Sequence, residues 1–189
     1  MDSFYTKREI SGLGFSSVGE HVKISKRAAF YGTENMSIGD NVRIDDFCLL
    51  SGKIKIGNHV HIAAGSYIFG GEAGVEMDDY TGISSRCIIY AVTDDFSGNA
   101  LPHPTIPMQF RNVIQKKVVL QKHALVGTSV VILPGVIVGE GCAVGAMSLV
   151  NKSLPAWKIC IGIPAKPVSQ RSKKILQLEI LHRSKGTAT

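Results

Sequence analysis

The sequence predicts an all-β chain wound into a parallel β-helix, with a long loop leaving the coils and a helix following them. Three observations predict this. Aliphatic residues recur every sixth position in two long runs. Small or apolar residues recur two positions before them. Glycine repeatedly follows the aliphatic position. In the first run the aliphatics are Ile38, Ile44, Leu50, Ile56, Ile62 and Ile68, and in the second Leu120, Val126, Ile132, Val138, Val144 and Val150. The earlier positions read Met36, Val42, Cys48, Ile54, Val60 and Ser66, then Val118, Ala124, Val130, Val136, Cys142 and Ser148. The glycines are Gly39, Gly57, Gly127, Gly139 and Gly145.

A period of six matches neither a helix nor a plain strand. It matches a short strand plus a tight turn, repeated three times per coil. Both apolar positions then point inward, and the glycine gives the turn a permissive backbone. Coils stack at about 4.8 Å, so roughly six coils make a prism about 29 Å tall. Val18-Gly19 and Ile24 extend the period toward the N-terminus. Val75, Ile83 and Ile89 continue it after a slip of one residue at Gly70-Gly71-Glu72-Ala73-Gly74, which reads as a bulge in the wall.

Composition agrees with a narrow prism. Of 189 residues, 44% are hydrophobic and only 7% aromatic, with 20 glycines. This is one domain with a core of Ile and Val, and it excludes disorder. No apolar run reaches membrane-spanning length, and no charged, apolar, small-residue leader opens the chain. A cytoplasmic chain without membrane contact is expected. Cys48, Cys87 and Cys142 fall in the small inward register, and with Cys160 they form no CxxC or CxxH spacing. They read as core cysteines in a reduced compartment, with no metal. The net charge of +6 (21 Lys+Arg against 15 Asp+Glu) points to an anionic partner. Nucleic acid is disfavoured, because the basic residues are scattered and no aromatic platform accompanies them.

The single domain divides in chain order. Residues 1–15 hold a short N-terminal helix over 3–10, capped by Ser3. Coils run over 16–92. At 93–117 the hexads stop, in a segment with Pro102, Pro104 and Pro107, and a loop of this length inside a compact domain signals function. Coils resume over 118–160. The remainder, 161–189, contains a helix over 169–183 that packs on the last coils, with Trp157 as its packing surface or, alternatively, a ring for stacking a ligand's base.

These hexads, the excursion loop and the ending Gly162-Ile163-Pro164-Ala165-Lys166 resemble the hexapeptide-repeat acyltransferases. The resemblance implies a left-handed parallel β-helix and a homotrimer with active sites between subunits. Three stretches look closest to the N-acyltransferases of nucleotide-linked 4-amino-4,6-dideoxyglucose, which serve viosamine- and anthrose-type sugars of O-antigens and other surface glycans. They are VRIDDFCLLSGKIKIG (42–57), GISSRCIIYAVTDDFSGNALPHPTIP (82–107) and VGAMSLV (144–150). The implied donor is acetyl-CoA or another acyl-CoA, and the implied acceptor is dTDP-4-amino-4,6-dideoxyglucose.

Many O-acetyltransferases of this family carry a loop histidine as base, in a run like Ser-Val-Thr-Gly-His-Pro. Here the run reads Ala91-Val92-Thr93-Asp94-Asp95-Phe96. A hydroxyl needs a base to lose its proton, whereas a neutral amine is already a nucleophile. The aspartate therefore favours N-acylation over O-acetylation of a glycan. The resemblance makes Asp94 the carboxylate that binds the amine, with Ser84 as second partner. Asp94 could equally shape a loop turn, and Ser84 could be an ordinary turn serine. Asp95, Glu72, His61 and His123 are expected along the acceptor site, with Asp95 alternatively a turn-shaping aspartate and Glu72 a charged rim residue. His103 and His123 are the rival bases, with His123 projecting outward from a coil face. His59 and His61 are expected to point outward from one strand, without zinc spacing. Gly127, Ser129, Gly145 and Ala146 are expected to bind pantetheine through the backbone. Lys166 and Arg171, with Lys173 and Lys174, are expected near the CoA phosphates. A structural β-helix without chemistry is the rival from another class. It needs neither the loop nor the lysine-bearing ending.

Overall fold

Each coil is three short strands joined by tight turns, and every strand pairs in parallel with its counterpart in the next coil. The computed structural model describes residues 3–186. The hexads become three stacked columns. Ile38, Ile56, Met77, Leu120 and Val138 stack up the first face. Ile24, Ile44, Ile62, Ile83, Val126, Val144 and Cys160 stack up the second. Leu50, Ile68, Ile89, Ile132 and Val150 stack up the third. All of these side chains are buried, as are the residues two positions earlier except Val22 and Lys158 at the ends of the second column, which are half-buried. Backbone bonds run from coil to coil, as in Arg43 N–H to Val60 O at 2.9 Å and Leu125 N–H to Cys142 O at 2.9 Å.

The glycines and the left-handed turns separate, contrary to expectation. Gly39, Gly57, Gly127, Gly139 and Gly145 are absent from the positive-φ residues. Their role is close approach: a Cβ on Gly39 would lie 2.7 Å from the backbone of Gly57 in the next coil. Positive φ falls instead on His21, Asn41, His59, Tyr80, His123 and Trp157 at the first corner, between the first and second faces. Phe47, Arg86, Ser129 and Met147 take it at the second corner, between the second and third faces. Left-handed backbone costs such residues about 1 kcal/mol each. Inter-coil bonds offset it, such as His59 N–H to Asp40 O and Tyr80 N–H to Asn58 O, both 2.8 Å.

The irregular parts differ from expectation in four ways. The coil from Ile56 to Met77 is three residues longer than that from Ile38 to Ile56, and the bulge falls where Gly52 pairs with Gly71. Met77 therefore takes the aliphatic column, and Val75 stands opposite Ile54 in the smaller register. The N-terminal helix α1 is Lys7–Ser11, capped by Thr6 in a capping box with Glu9 rather than by Ser3. The excursion is stemmed, because Val92–Asp94 pairs antiparallel with Val113–Gln115. Finally, Lys158–Gly162 and Ala165–Gln170 form an antiparallel hairpin before helix α2, Lys174–Gly186. Residues 169 and 170 thus belong to a strand. The tolerated Pro167 fits an edge position. Among the described residues no helix is long and apolar enough to cross a membrane.

Stacking sets a clear expectation. Gly39→Ala should lose about 1–3 kcal/mol of stability, while Gly82→Ala, whose added methyl meets nothing closer than 3.6 Å, should lose much less. Urea unfolding of the two variants checks this, and equal losses would refute the close-approach role.

Candidate active site

The excursion starts where the third face ends. Its stem is anchored at the bulge, where Gln115 Oε1 accepts the Glu72 N–H at 2.8 Å. A Cβ on Gly71 would stand 2.8 Å from that same oxygen, so the glycine lets the stem close against the prism. Asp94 sits at the base of the loop, opposite Val113. Its Oδ1 accepts from Arg111 Nη2 at 3.0 Å, and its Oδ2 accepts the His103 N–H at 3.2 Å. Arg111 first, then the His103 N–H, holds the carboxyl below the ordinary range, so it is ionised at neutral pH. Asp95 is different. Its Oδ1 accepts the Ser97 N–H at 2.8 Å, and its Oδ2 accepts Ser97 Oγ at 2.9 Å and Asn112 Nδ2 at 3.2 Å. That is a turn-shaping aspartate, held ionised chiefly by the Ser97 N–H. Glu72 is exposed beside the stem. Sequence reasoning missed Arg111, because a guanidinium seventeen positions from its carboxylate leaves no local signal.

Ser84 lies at the second corner. Its N–H donates to Val126 O at 2.8 Å, and its carbonyl accepts Ser66 Oγ at 3.1 Å. Ser129 stacks on this turn through its N–H to Ser85 O at 3.0 Å. Gly127 and Gly145 lie on successive turns of the same edge, and a Cβ on Gly127 would meet the Ala146 nitrogen at 2.7 Å. The hairpin caps the edge through Gly162 N–H to Ser148 Oγ at 3.0 Å. Lys166 stands exposed opposite Ile161 on that hairpin. The structure thus aligns Ser84, Gly127, Ser129, Gly145, Ala146 and Lys166 along one edge. Asp94 and Glu72 are on the next edge, with strand Ile88–Tyr90 crossing the third face between them. The outer side of that face is apolar and aromatic, with exposed Tyr31 and Tyr67 and a Phe69–Tyr90 stack at 5.2 Å.

The first corner overturns two expectations and a third in part. His59 stacks on Tyr80 at 4.6 Å and Tyr80 on His123 at 5.3 Å, a ladder produced by equivalent left-handed turns. Helix α2 lies across this ladder, reaching back well beyond the last coils. His123 does not project into a cleft. It is 6% exposed, with Nε2 2.7 Å from Glu179 Oε2. Its ring is held against Glu179 beneath the helix rather than presented on an open coil face. Arg171 is no free phosphate ligand either: its Nη1 donates to His123 O at 2.8 Å and Gly141 O at 3.0 Å, tying the helix approach to the corner. His59 and His61 do not share one outward strand face. His59 is at the corner near His182, while His61 is exposed on the second face, 2.8 Å from Asp45 Oδ2. Trp157 packs as expected, buried below Lys173. All four cysteines are buried, and burial pushes the Cys142 thiol up to about 12. Among the described residues no three His, Cys, Asp or Glu side chains converge as a metal site.

Comparison with known proteins adds identity to this geometry. Residues 35–70 match the family of bacterial transferase hexapeptides (six repeats). The chain is 47% identical over 174 residues to the dTDP-4-amino-4,6-dideoxy-D-glucose acyltransferase of Escherichia coli, covering 90% of each chain. It is 30% identical over 146 residues to a putative lipopolysaccharide biosynthesis O-acetyl transferase, WbbJ, of Escherichia coli K12, covering 72% of this chain and 69% of that one. AntD, an N-acyltransferase from Bacillus cereus solved with dTDP and 3-hydroxybutyryl-CoA, is 51% identical. It superposes with a TM-score of 0.96 over 99% of this chain and 100% of that chain. AntD has also been solved as an S84C variant with dTDP-4-amino-4,6-dideoxyglucose and coenzyme A, and as a D94A variant with dTDP and coenzyme A, in its own numbering.

The Glu179 latch is expected to depend on pH. Burial pushes the Glu179 carboxyl up, but hydrogen bonds from Lys122 and His123 outweigh it and leave it lowered. Stability from such a group is present above the unfolded value of about 4.3 and lost as pH falls through the lowered folded value. Glu179→Gln should cost about 2 kcal/mol at neutral pH. The difference from the parent should close in acid below about pH 4. Thermal unfolding across pH checks both, and a pH-independent difference would refute the ionic latch.

Proposed function

The chain belongs to the hexapeptide-repeat transferases and, within them, to the dTDP-4-amino-4,6-dideoxyglucose acyltransferases, and on that premise we propose that it moves an acyl group from acyl-CoA to the 4-amino group of dTDP-4-amino-4,6-dideoxyglucose. What carries this reading is the full-length likeness to AntD, joined to an ionised Asp94 at the base of the loop. The amine nitrogen attacks the thioester carbonyl carbon. A C–N bond forms, the C–S bond breaks, and the proton lost by nitrogen ends on the departing thiolate, giving amide and free CoA.

Asp94 accepts an N–H of the amine and aims its lone pair. A carboxylate offers about four acceptor positions, and two are taken by Arg111 and His103. The remaining positions suit an amine or ammonium. Ser84 supplies the second partner. The edge with Gly127, Ser129, Gly145 and Ala146 takes the pantetheine arm through backbone groups, and Lys166, Lys173 and Lys174 meet the phosphates. CoA is the anionic partner that the +6 net charge suggests.

The chain works as a homotrimer with sites between copies. Ser84 and Asp94 lie on opposite edges of one apolar face, so a single prism holds the halves apart. Setting the Ser84 edge of one copy against the Asp94 edge of the next buries aromatic surface and joins them. Both substrates, a nucleotide sugar and acyl-CoA, belong to the cytoplasm, and the acylated sugar feeds surface-glycan synthesis.

Release of CoA is the decisive assay, run with dTDP-4-amino-4,6-dideoxyglucose and with hydroxyl-only sugars. The amino sugar should turn over, and Asp94→Ala should lose at least about 100-fold in kcat/KM while sedimenting as an intact trimer. Acylation of hydroxyl sugars alone would sink this reading, and a monomer with full activity would sink the shared site.

A further inference from the structure

The Asp94–Arg111 pair is built asymmetrically. Arg111 is the buried partner, with 13% of its side chain exposed against 29% for Asp94. Its Nε–H finds no acceptor among the described residues. A guanidinium taken out of water with one carboxylate and an unpaired donor is expensive, and a surface loop needs no such pair to fold. The chain nevertheless delivers it with care. The 3-10 turn Met108–Phe110 ends at Arg111, whose N–H bonds to Met108 O at 3.0 Å. Arg111 Nη1 rests on Met108 Sδ at 3.6 Å. Leu101 N–H to Phe110 O at 2.9 Å ties that turn across the loop. The cation is thus fixed behind the carboxylate, and the carboxylate keeps the more open side. The neighbouring Asp95 shows the contrast, because it is satisfied by Ser97 and Asn112 and has no ion-pair partner among the described residues.

We propose that Arg111 is a positioning residue for acyl transfer: it fixes the Asp94 carboxylate in one orientation and keeps it an acceptor, so that its unused lone pairs are available to the sugar amine. This rests on the assignment of Asp94 to the amine. Arg111 touches neither substrate in this role and acts through Asp94 alone. The charged or titratable groups bearing on Asp94 are Arg111 and His103, both from the loop; the paired strand Val113–Gln115 carries none. Without Arg111, Asp94 loses its largest ionising influence and one restraint on its rotation. It then takes up a proton at higher pH and presents the wrong atom to the amine more often.

The test is steady-state kinetics of the trimeric enzyme with Arg111→Met, Arg111→Lys, Asp94→Asn and the Asp94→Asn/Arg111→Met double variant. Arg111→Met should lose up to about 100-fold in kcat/KM for the amino sugar, the scale of a misplaced reacting group. The KM for acyl-CoA should stay within about twofold of the parent, far below the scale of that loss. The acid limb of the amino-sugar profile should move to higher pH, and Arg111→Lys should recover part of the rate. The double variant should be no worse than Asp94→Asn, because both changes remove one unit. Parent-like kinetics in Arg111→Met beside a crippled Asp94→Asn would overturn the positioning role alone. Full activity in Asp94→Asn would instead overturn the assignment of Asp94. Equal losses in Arg111→Met and Arg111→Lys, with a weakened acyl-CoA KM and an unmoved acid limb, would make the pair a structural staple and refute the proposal.

Discussion

At Gly39, Gly57, Gly127 and Gly139 the stacked turns leave no space for a side chain on the residue that follows the inward aliphatic. Gly39 under Gly57 and Gly127 under Ala146 meet backbone at 2.7 Å where a Cβ would be. That contact fixes the pitch of the coil, because opening it would break the inter-coil hydrogen bonds on every face. With the pitch fixed, each column holds one aliphatic per coil. The interior is then only as wide as an isoleucine, which is why rings are absent from its centre. The same constraint restricts where the chain may depart from its period. An extra residue inside a face would turn the inward residues outward. The insertions therefore fall at corners, at Gly71 and after Tyr90.

A scaffold of this kind turns the corners into functional positions. The turn at one height lies directly beneath the turn at the next, so equivalent residues form vertical edges. On the second edge this lines up backbone groups from Ser84 to Ala146, a run suited to an extended ligand arm. On the first edge it lines up His59, Tyr80, His123 and Trp157, and helix α2 covers them through Glu179 and His182. The third edge carries the excursion loop. A long insertion on a regular frame is a common place for function. Here Ser84 and Asp94 stand on neighbouring edges of one face.

The hexads made the fold legible, since a period of six admits few solutions, and inward burial follows it residue by residue. The loop was legible by its silence in that period. The choice of Asp94 and Ser84 as candidates came only from resemblance to a family. What stayed hidden depended on three-dimensional closure. Non-glycine residues in left-handed turns carry no sequence mark, so His123 read as outward although its corner is roofed by a helix. Arg171 read as a free cation because nothing local shows carbonyls from His123 and Gly141 converging on it. The hairpin at Ala165–Gln170 was hidden by its Pro167 and by a helical run beginning just beyond. Arg111 was hidden because its partner lies across the loop, and loops lack the periodicity that reveals partners in strands and helices.

The electrostatics of the loop bear on which nucleophile it serves. A general base must have an affinity for protons matched to its task, and one held well below neutrality accepts them poorly. Asp94 is pulled away from that requirement by Arg111 and the His103 N–H. For a hydroxyl acceptor this arrangement would be self-defeating, because the proton has to be removed as attack proceeds. For an amine it would be an advantage. The carboxylate would stay charged, attract the ammonium form, and orient the neutral form without competing for its proton. The departing thiolate, far more basic than this carboxylate, is the better place for that proton to finish. An aspartate weakened as a base but fixed as an acceptor therefore points toward nitrogen as the attacking atom.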